Sequence, residues 1–291
     1  MASMRSIKRR RESVQSTQQI TKAMKLVSTV KLQRAKKRAE QSRSYFHNMY
    51  DTVKIILSRS TNIRHPYLEA GESSKIGIIT VTSNRGLAGG YNSNVIKLIT
   101  RDTELKKEDI VIYSIGKKGK DSLHKAGYEI AKDYSDCIEE PIYIDAMNIV
   151  KDVLDDFAND RIGSIYLAYT GFKNTVSHIP TLIKLLPVDL ESTGDDEDRD
   201  GLPDDKLLMN FEMDDEDAIA LLIPKYLTSL VFGAMVQAVA SENGARMQAM
   251  DSATSNAEDM ISALSLQYNR ARQGSITQEL TEIIAGADAI S

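Results

Sequence analysis

Residues 7–35, IKRRRESVQSTQQITKAMKLVSTVKLQRA, belong to a stretch from Met4 to about Ser60 that contains neither proline nor glycine. Lys, Arg, Gln, Ala, Met and Leu fill it, and these side chains lose little freedom in a helix. Apolar residues recur at Ile20, Met24 and Val27, and again at Phe46, Met49, Val53 and Ile56, with Lys31 and Arg34 between the two sets. Steps of three and four are the heptad rhythm that turns one helix face toward a partner helix. At 1.5 Å per residue such a helix runs to roughly 80 Å, too long for a globular core to cover. An N-terminal coiled-coil helix is predicted over 1–60, and NIRHPYLEAG, with Pro66 and Gly71, stops it.

The other end of the chain answers with a second helix, predicted over 215–291. Ile261, Leu264, Tyr268 and Ala271 mark one seam, and Ile276, Leu280, Ile283 and Ala287 continue it. Pro224 falls near its start. Small residues (Ala238, Ala240, Ser241, Ala245, Ala249) allow close approach of another helix. Two long helices with partial seams, one at each end, can pair as an antiparallel coiled coil.

Between them, residues 75–190 alternate in kind. KIGIITV (75–81) and DIVIYSI (109–115) are short β-branched runs, as are IGSIYLAYT (162–170) and HIPTLIKLLPV (178–188). Helices are predicted at Tyr91–Thr100, Lys117–Ala126 and DAMNIVKDVLDDFAND (145–160). This order implies a Rossmann-like α/β domain with a largely parallel sheet. The acidic segment 191–214, with DDEDRD and PDD, reads as an exposed loop or insertion. The fold class expected is therefore α/β plus long helices.

Composition excludes several classes. Hydrophobic residues at 42 % and charged residues at 27 % suit a folded protein and exclude global disorder. The net charge of −4 conceals a basic tract from Arg5 to Arg43, opposed only by Glu12 and Glu40, and an acidic one from Asp195 to Asp217. Cys137 is the sole cysteine, so no internal disulfide forms. The basic start has no apolar h-region behind it, so no signal peptide is expected. No run of about eighteen apolar residues is expected to span a bilayer.

Two loops invite a nucleotide. TSNRGLAGGYNSN (82–94) follows a strand, but a dinucleotide fingerprint counted from Gly86 meets Ala88 and Tyr91 where glycines are required. In SIGKKGKDS (114–122) a Walker loop would need glycine at Ser114 and Ser or Thr at Asp121. Neither loop is expected to bind nucleotide; Gly86, Gly89 and Gly90 are expected to shape a tight turn. The four histidines, His47, His65, His124 and His178, lack ligand spacing, so no metal and no cofactor are expected. No nucleophile elbow or catalytic carboxylate pair stands out. The basic helix carries one alternative, a coiled-coil nucleic-acid-binding protein with an α/β module. Its charges surround the helix with no aromatics between them, so nucleic acid is not the favoured partner.

Three blocks decide between these readings: residues 7–35 quoted above, SNRGLAGGYN (83–92), and ASENGARMQAMDSATSNAEDMISALSLQYNRARQGSITQELTEIIAGADAI (240–290). Together they resemble the gamma chain of bacterial-type F-type ATP synthases, along essentially the whole chain. The resemblance implies a non-catalytic central-stalk rotor that couples ion-driven rotation of the membrane c-ring to conformational cycling of catalytic beta subunits. It implies alpha and beta subunits, an epsilon subunit and the c-ring as partners, with no direct nucleotide binding. A peripheral place at the cytoplasmic face of a bacterial plasma membrane follows from the same resemblance. By matching motifs it assigns beta-subunit contacts to Lys22, Met24 and Lys25 in TKAMK, to Arg246 in GARM, and to Arg272, Gln273, Thr277 and Glu279 in NRARQGSITQELTE. Ile283, Ile284 and Ile290 would form a bearing inside the hexamer, and Phe211 and Glu212 a foot toward the c-ring and epsilon.

Overall fold

The computed structural model describes residues 4–59, 65–69, 71–101, 105–175, 177–188 and 215–288. The chain divides into two compact units: Met1–Val30 with Arg246–Ser291, and Lys31–Ala245. The first helix, α1 (Met4–Arg59), and the last, α5 (Asp215–Asp288), contribute to both.

The larger unit is built on five strands: β1 (Ile76–Val81), β2 (Ile110–Ile115), β3 (Glu129–Asp133), β4 (Ser164–Phe172) and β5 (His178–Leu186). Their order is β3-β2-β1-β4-β5. β1, β2, β3 and β4 run parallel and β5 returns antiparallel along β4. The crossover helices are α2 (Tyr91–Arg101), α3 (Lys117–Lys125) and α4 (Tyr143–Ala158). β1 and β2 are apolar on both faces because both faces are covered. Ile78 and Ile112 pack with Val95, Ile99 and Leu123 from α2 and α3. Ile79, Val81 and Ile115 pack on the other side with Ile149, Val153 and Phe157 of α4 and with the opening turns of α5. This is the Rossmann-like sheet expected from the alternating runs.

β3 was not among the predicted strands. Its sequence, EIAKD, is polar and largely exposed, which suits a sheet edge and removes the β-branched signal. A second correction concerns α5. It does contain an 18-residue window long and apolar enough to cross a membrane, of which 56 % is buried inside the protein. Ile219, Ile223, Leu227, Val231 and Met235 recur at four-residue intervals and all enter the core. An all-round apolar helix is what a buried core position asks for. Pro224 lies inside α5, where its carbonyl accepts the Thr228 hydroxyl at 2.7 Å. Of the small residues, Ala238, Ala240 and Ser241 are buried, and Ser241 donates to the carbonyl of Thr170 on β4 at 3.1 Å.

The smaller unit pairs the first turns of α1 with the later turns of α5. Gln18 meets Glu258, Thr21 meets Thr254 and Lys25 meets Asp251, so the two helices run antiparallel. The seam differs from the expected one. Ile20 and Val27 are exposed, together with Leu26 and Val30. Of the predicted α1 seam only Met24 is half-buried. Within the pair, Met4, Ile7, Arg11, Val14, Gln18, Thr21, Lys25 and Ser28 of α1 are half-buried or buried beside it. They keep an unbroken 3-4 rhythm, so the heptad is present, but polar and small residues occupy most of it. On α5 the predicted Ile261, Leu264, Tyr268 and Ala271 do face the seam, as half-buried or buried positions. The predicted continuation fails, because Ile276, Leu280, Ile283 and Ala287 are all exposed. Phe46, Val53 and Ile56 have side chains outside the described residues, while Met49 packs against the core of the larger unit.

Candidate binding surface of the terminal helices

Hydroxyls and charges tie the helix pair where apolar knobs are usual. The Thr21 and Thr254 hydroxyls lie 2.8 Å apart. Gln18 donates to the Glu258 carboxylate at 3.0 Å. The Lys25 ammonium reaches Asp251 at 2.6 Å. The guanidinium of Arg11 stands 5.5 Å from the Tyr268 ring centroid, a cation–π contact. With the seam satisfied by polar groups, apolar side chains are left for the outside.

The residues assigned by resemblance fall into two sets. Lys22 is exposed, Met24 and Lys25 are half-buried, and Lys22 and Lys25 share an open groove with Asp251, Thr254 and Glu258. Arg246 is half-buried on α5. Arg272, Gln273, Thr277 and Glu279 are exposed on the last turns of α5, and the Thr277 hydroxyl donates to the Gln273 carbonyl at 2.9 Å. Thr254 and Arg272 are 18 residues apart on one helix, about 27 Å along its axis. The two sets are therefore not one pocket. From Ile276 to Ala287 every side chain is exposed. Ile283 and Ile284 are 67 % and 60 % accessible, an unusual state for isoleucine side chains clustered at a helix end. Ile290, Phe211, Glu212 and the acidic segment 191–214 lie outside the described residues.

In the second glycine loop of the larger unit the backbone amides are occupied by the protein itself. At the start of α3 the Lys117 N–H donates to the Asn84 side-chain oxygen at 3.0 Å, Lys118 N–H to the Ser83 carbonyl at 3.0 Å, and Gly119 N–H to the Thr82 hydroxyl at 2.9 Å. The amides that a phosphate would need are already taken. Lys120 donates to Asp133 at 2.7 Å. Burial pushes the Asp133 carboxyl up, but hydrogen bonds from Lys120 and Ser135 outweigh it and hold the group below its usual range. Gly116, at φ +112°, is required: a Cβ there would stand 2.1 Å from the Thr82 carbonyl oxygen. In the first loop only Gly89 uses a left-handed backbone, at φ +55°, and Leu87 supplies a second such position at +64°. Gly89 and Gly90 are the central residues of the turn that the Tyr91 N–H closes on the Ala88 carbonyl at 3.2 Å, as expected, while Gly86 lies ahead of it. Cys137 is half-buried, and burial followed by the nearby Asp145 pushes its thiol up, so it is a poor nucleophile.

The family model described as ATP synthase matches residues 3–290. Over 292 residues the chain is 65 % identical to the ATP synthase gamma chain of Lachnoclostridium phytofermentans, each protein being covered in full. This chain belongs to the ATP synthase gamma-chain family. It is also 38 % identical to the gamma chain of Acetobacterium woodii, described as sodium ion specific, over 99 % of both chains. Among solved structures, a mitochondrial ATP synthase chain of Euglena gracilis aligns at a TM-score of 0.68 and 19 % identity, covering 99 % of this chain and 94 % of that one. A rotor chain from the same organism aligns at 0.65 and 18 %, covering 94 % and 98 %. At such identities the likeness is one of fold. A gamma chain is the central-stalk subunit of the F-type ATP synthase, a membrane-associated complex, and is non-catalytic. Nothing in these relatives supports the nucleic-acid reading.

Sequence reasoning missed the polar partners Gln18, Thr21, Asp251, Thr254 and Glu258. Their 3-4 spacing was available as a signal, but a search for apolar periodicity passes over a heptad filled by hydroxyls and charges.

Proposed function

We propose that this gamma chain is a rotary shaft that transmits motion between an ion-driven c-ring and the catalytic beta subunits of an alpha–beta hexamer. The observation that carries this reading is the end of α5, where Ile276, Leu280, Ile283 and Ile284 are exposed. Exposed apolar residues at that density need a sleeve, and an apolar sleeve is a bearing that resists rotation little because it makes no directional bonds. Ile283, Ile284 and Ile290 serve there. Lys22, Met24, Lys25 and Arg246, and further along Arg272, Gln273, Thr277 and Glu279, meet beta. Each shaft position favours one beta conformation over its alternatives through these contacts. Phe211 and Glu212 form the foot toward the c-ring and epsilon. In functional terms the helices 1–60 and 215–291 are the shaft, 75–190 the α/β domain and 191–214 an acidic segment of the foot region. The complex sits peripherally at the cytoplasmic face of a bacterial plasma membrane.

Replacing Arg272→Ala together with Gln273→Ala removes the polar contacts without touching the seam. The assembled complex should lose most ATP-driven ion pumping in membrane vesicles, while subunit stoichiometry stays intact. Full pumping by the assembled double variant would remove Arg272 and Gln273 from the contact.

A further inference from the structure

Asp251 lies on α5 facing Lys25 across the groove, its carboxylate 2.6 Å from the ammonium, with the two side chains 61 % and 38 % exposed. Glu258, two turns on, is engaged by Gln18. Lys22 is exposed and, among the described residues, makes no ion pair. Of two lysines at one surface, one is thus free and the other is held by an acid of its own chain.

We propose that Asp251 sets how tightly this surface holds the beta-subunit carboxylates that two lysine ammonium groups would attract, by competing with them for Lys25. The inference rests on the reading that Lys22 and Lys25 meet beta. When the partner is away, Asp251 occupies Lys25 and offsets its charge. When the partner arrives, its carboxylates have only Lys22 at full strength, and they take Lys25 only by displacing Asp251. Asp251 also presents a negative charge that repels an acidic partner. Both effects weaken the contact, and a contact that is made and broken at each catalytic step benefits from ready release. The bond is exposed enough that the exchange is cheap and salt-sensitive.

The test uses the assembled catalytic complex and measures steady-state ATP turnover between about 20 and 300 mM salt. The neutral near-isostere Asp251→Asn frees Lys25 and removes the repelling charge. It should slow turnover about two- to fivefold at the low-salt end, the range of an exposed ion pair, and return to the parent rate at high salt. Asp251→Glu should behave as the parent does. Lys25→Gln added to Asp251→Asn should turn over faster at low salt than Asp251→Asn alone, since the freed cation is gone. Parent-like turnover of Asp251→Asn at every salt concentration overturns the proposal. So does a slowing that salt leaves unchanged and Asp251→Glu shares, which would mark a structural role. Lys22→Gln with Lys25→Gln separates the two levels. If that pair leaves turnover and its salt dependence untouched, the beta contact itself falls; if it changes them and Asp251→Asn does not, only the competition falls.

Discussion

His178, on β5, has its ring 6.0 Å from that of Phe172, and a Cβ added to Gly244 of α5 would stand 2.7 Å from its Cε1. Both ring nitrogens are buried without a hydrogen-bond partner. Phe172 in turn carries the Lys36 ammonium 5.6 Å from its centroid. Burial alone holds the imidazole below its ordinary protonation range. Above the unfolded value of about 6.5 the ring is neutral in both states and stability is unaffected. As the pH falls through that value, the unfolded chain takes up the proton first and stability is lost, levelling off below the folded value. The midpoint of thermal unfolding should therefore drop between about pH 7 and 5. His178→Phe should lose that part of the drop, and an identical pH profile for the variant would mean that other groups cause it. What requires glycine at 244 is a ring arriving from a distant strand, which no local pattern reveals.

The Thr21 and Thr254 hydroxyls face one another, and each also donates or can donate to its own helix, to the carbonyls of Gln18 and Met250. Thr21→Val or Thr254→Val alone should cost about 0.5–1.5 kcal/mol, one net hydrogen bond. The double variant should cost no more than either single, because two valines of the same shape pack on each other. Additive losses in thermal unfolding followed by circular dichroism would show that the hydroxyls do not interact. The long helices and the central strands were legible, since absent proline and glycine and runs such as KIGIITV act locally. The N-terminal seam was not. Ile20 and Val27 suggested a buried face one residue out of phase with the real one, whose positions are filled largely by polar residues that give no apolar signal. The edge strand β3 was missed for a related reason: its neighbours, rather than its composition, make it a strand.

At the scale of the whole molecule, the chain combines a well-packed α/β sheet with a helix pair that puts polar groups at the middle of its seam and leaves many apolar groups outside. That arrangement is a poor way to stabilise a free protein and a good way to fit one into a partner. The basic first helix suits an acidic partner surface, and the amides at the start of α3 are already bonded within the chain. Which family the chain belongs to was legible from its terminal blocks, whereas the pairing of Lys25 with Asp251 needed the two helices set side by side. The central claim is rotation, and it is testable without the membrane. Lys118 is exposed at the start of α3, so Lys118→Cys offers a point for attaching a bead once Cys137 has been replaced by serine. With the alpha–beta hexamer fixed to a surface, addition of ATP should drive continuous rotation of the bead in one direction, at a rate that rises with ATP concentration. A bead that only fluctuates about a fixed angle, in a complex that is hydrolysing ATP, would contradict the account.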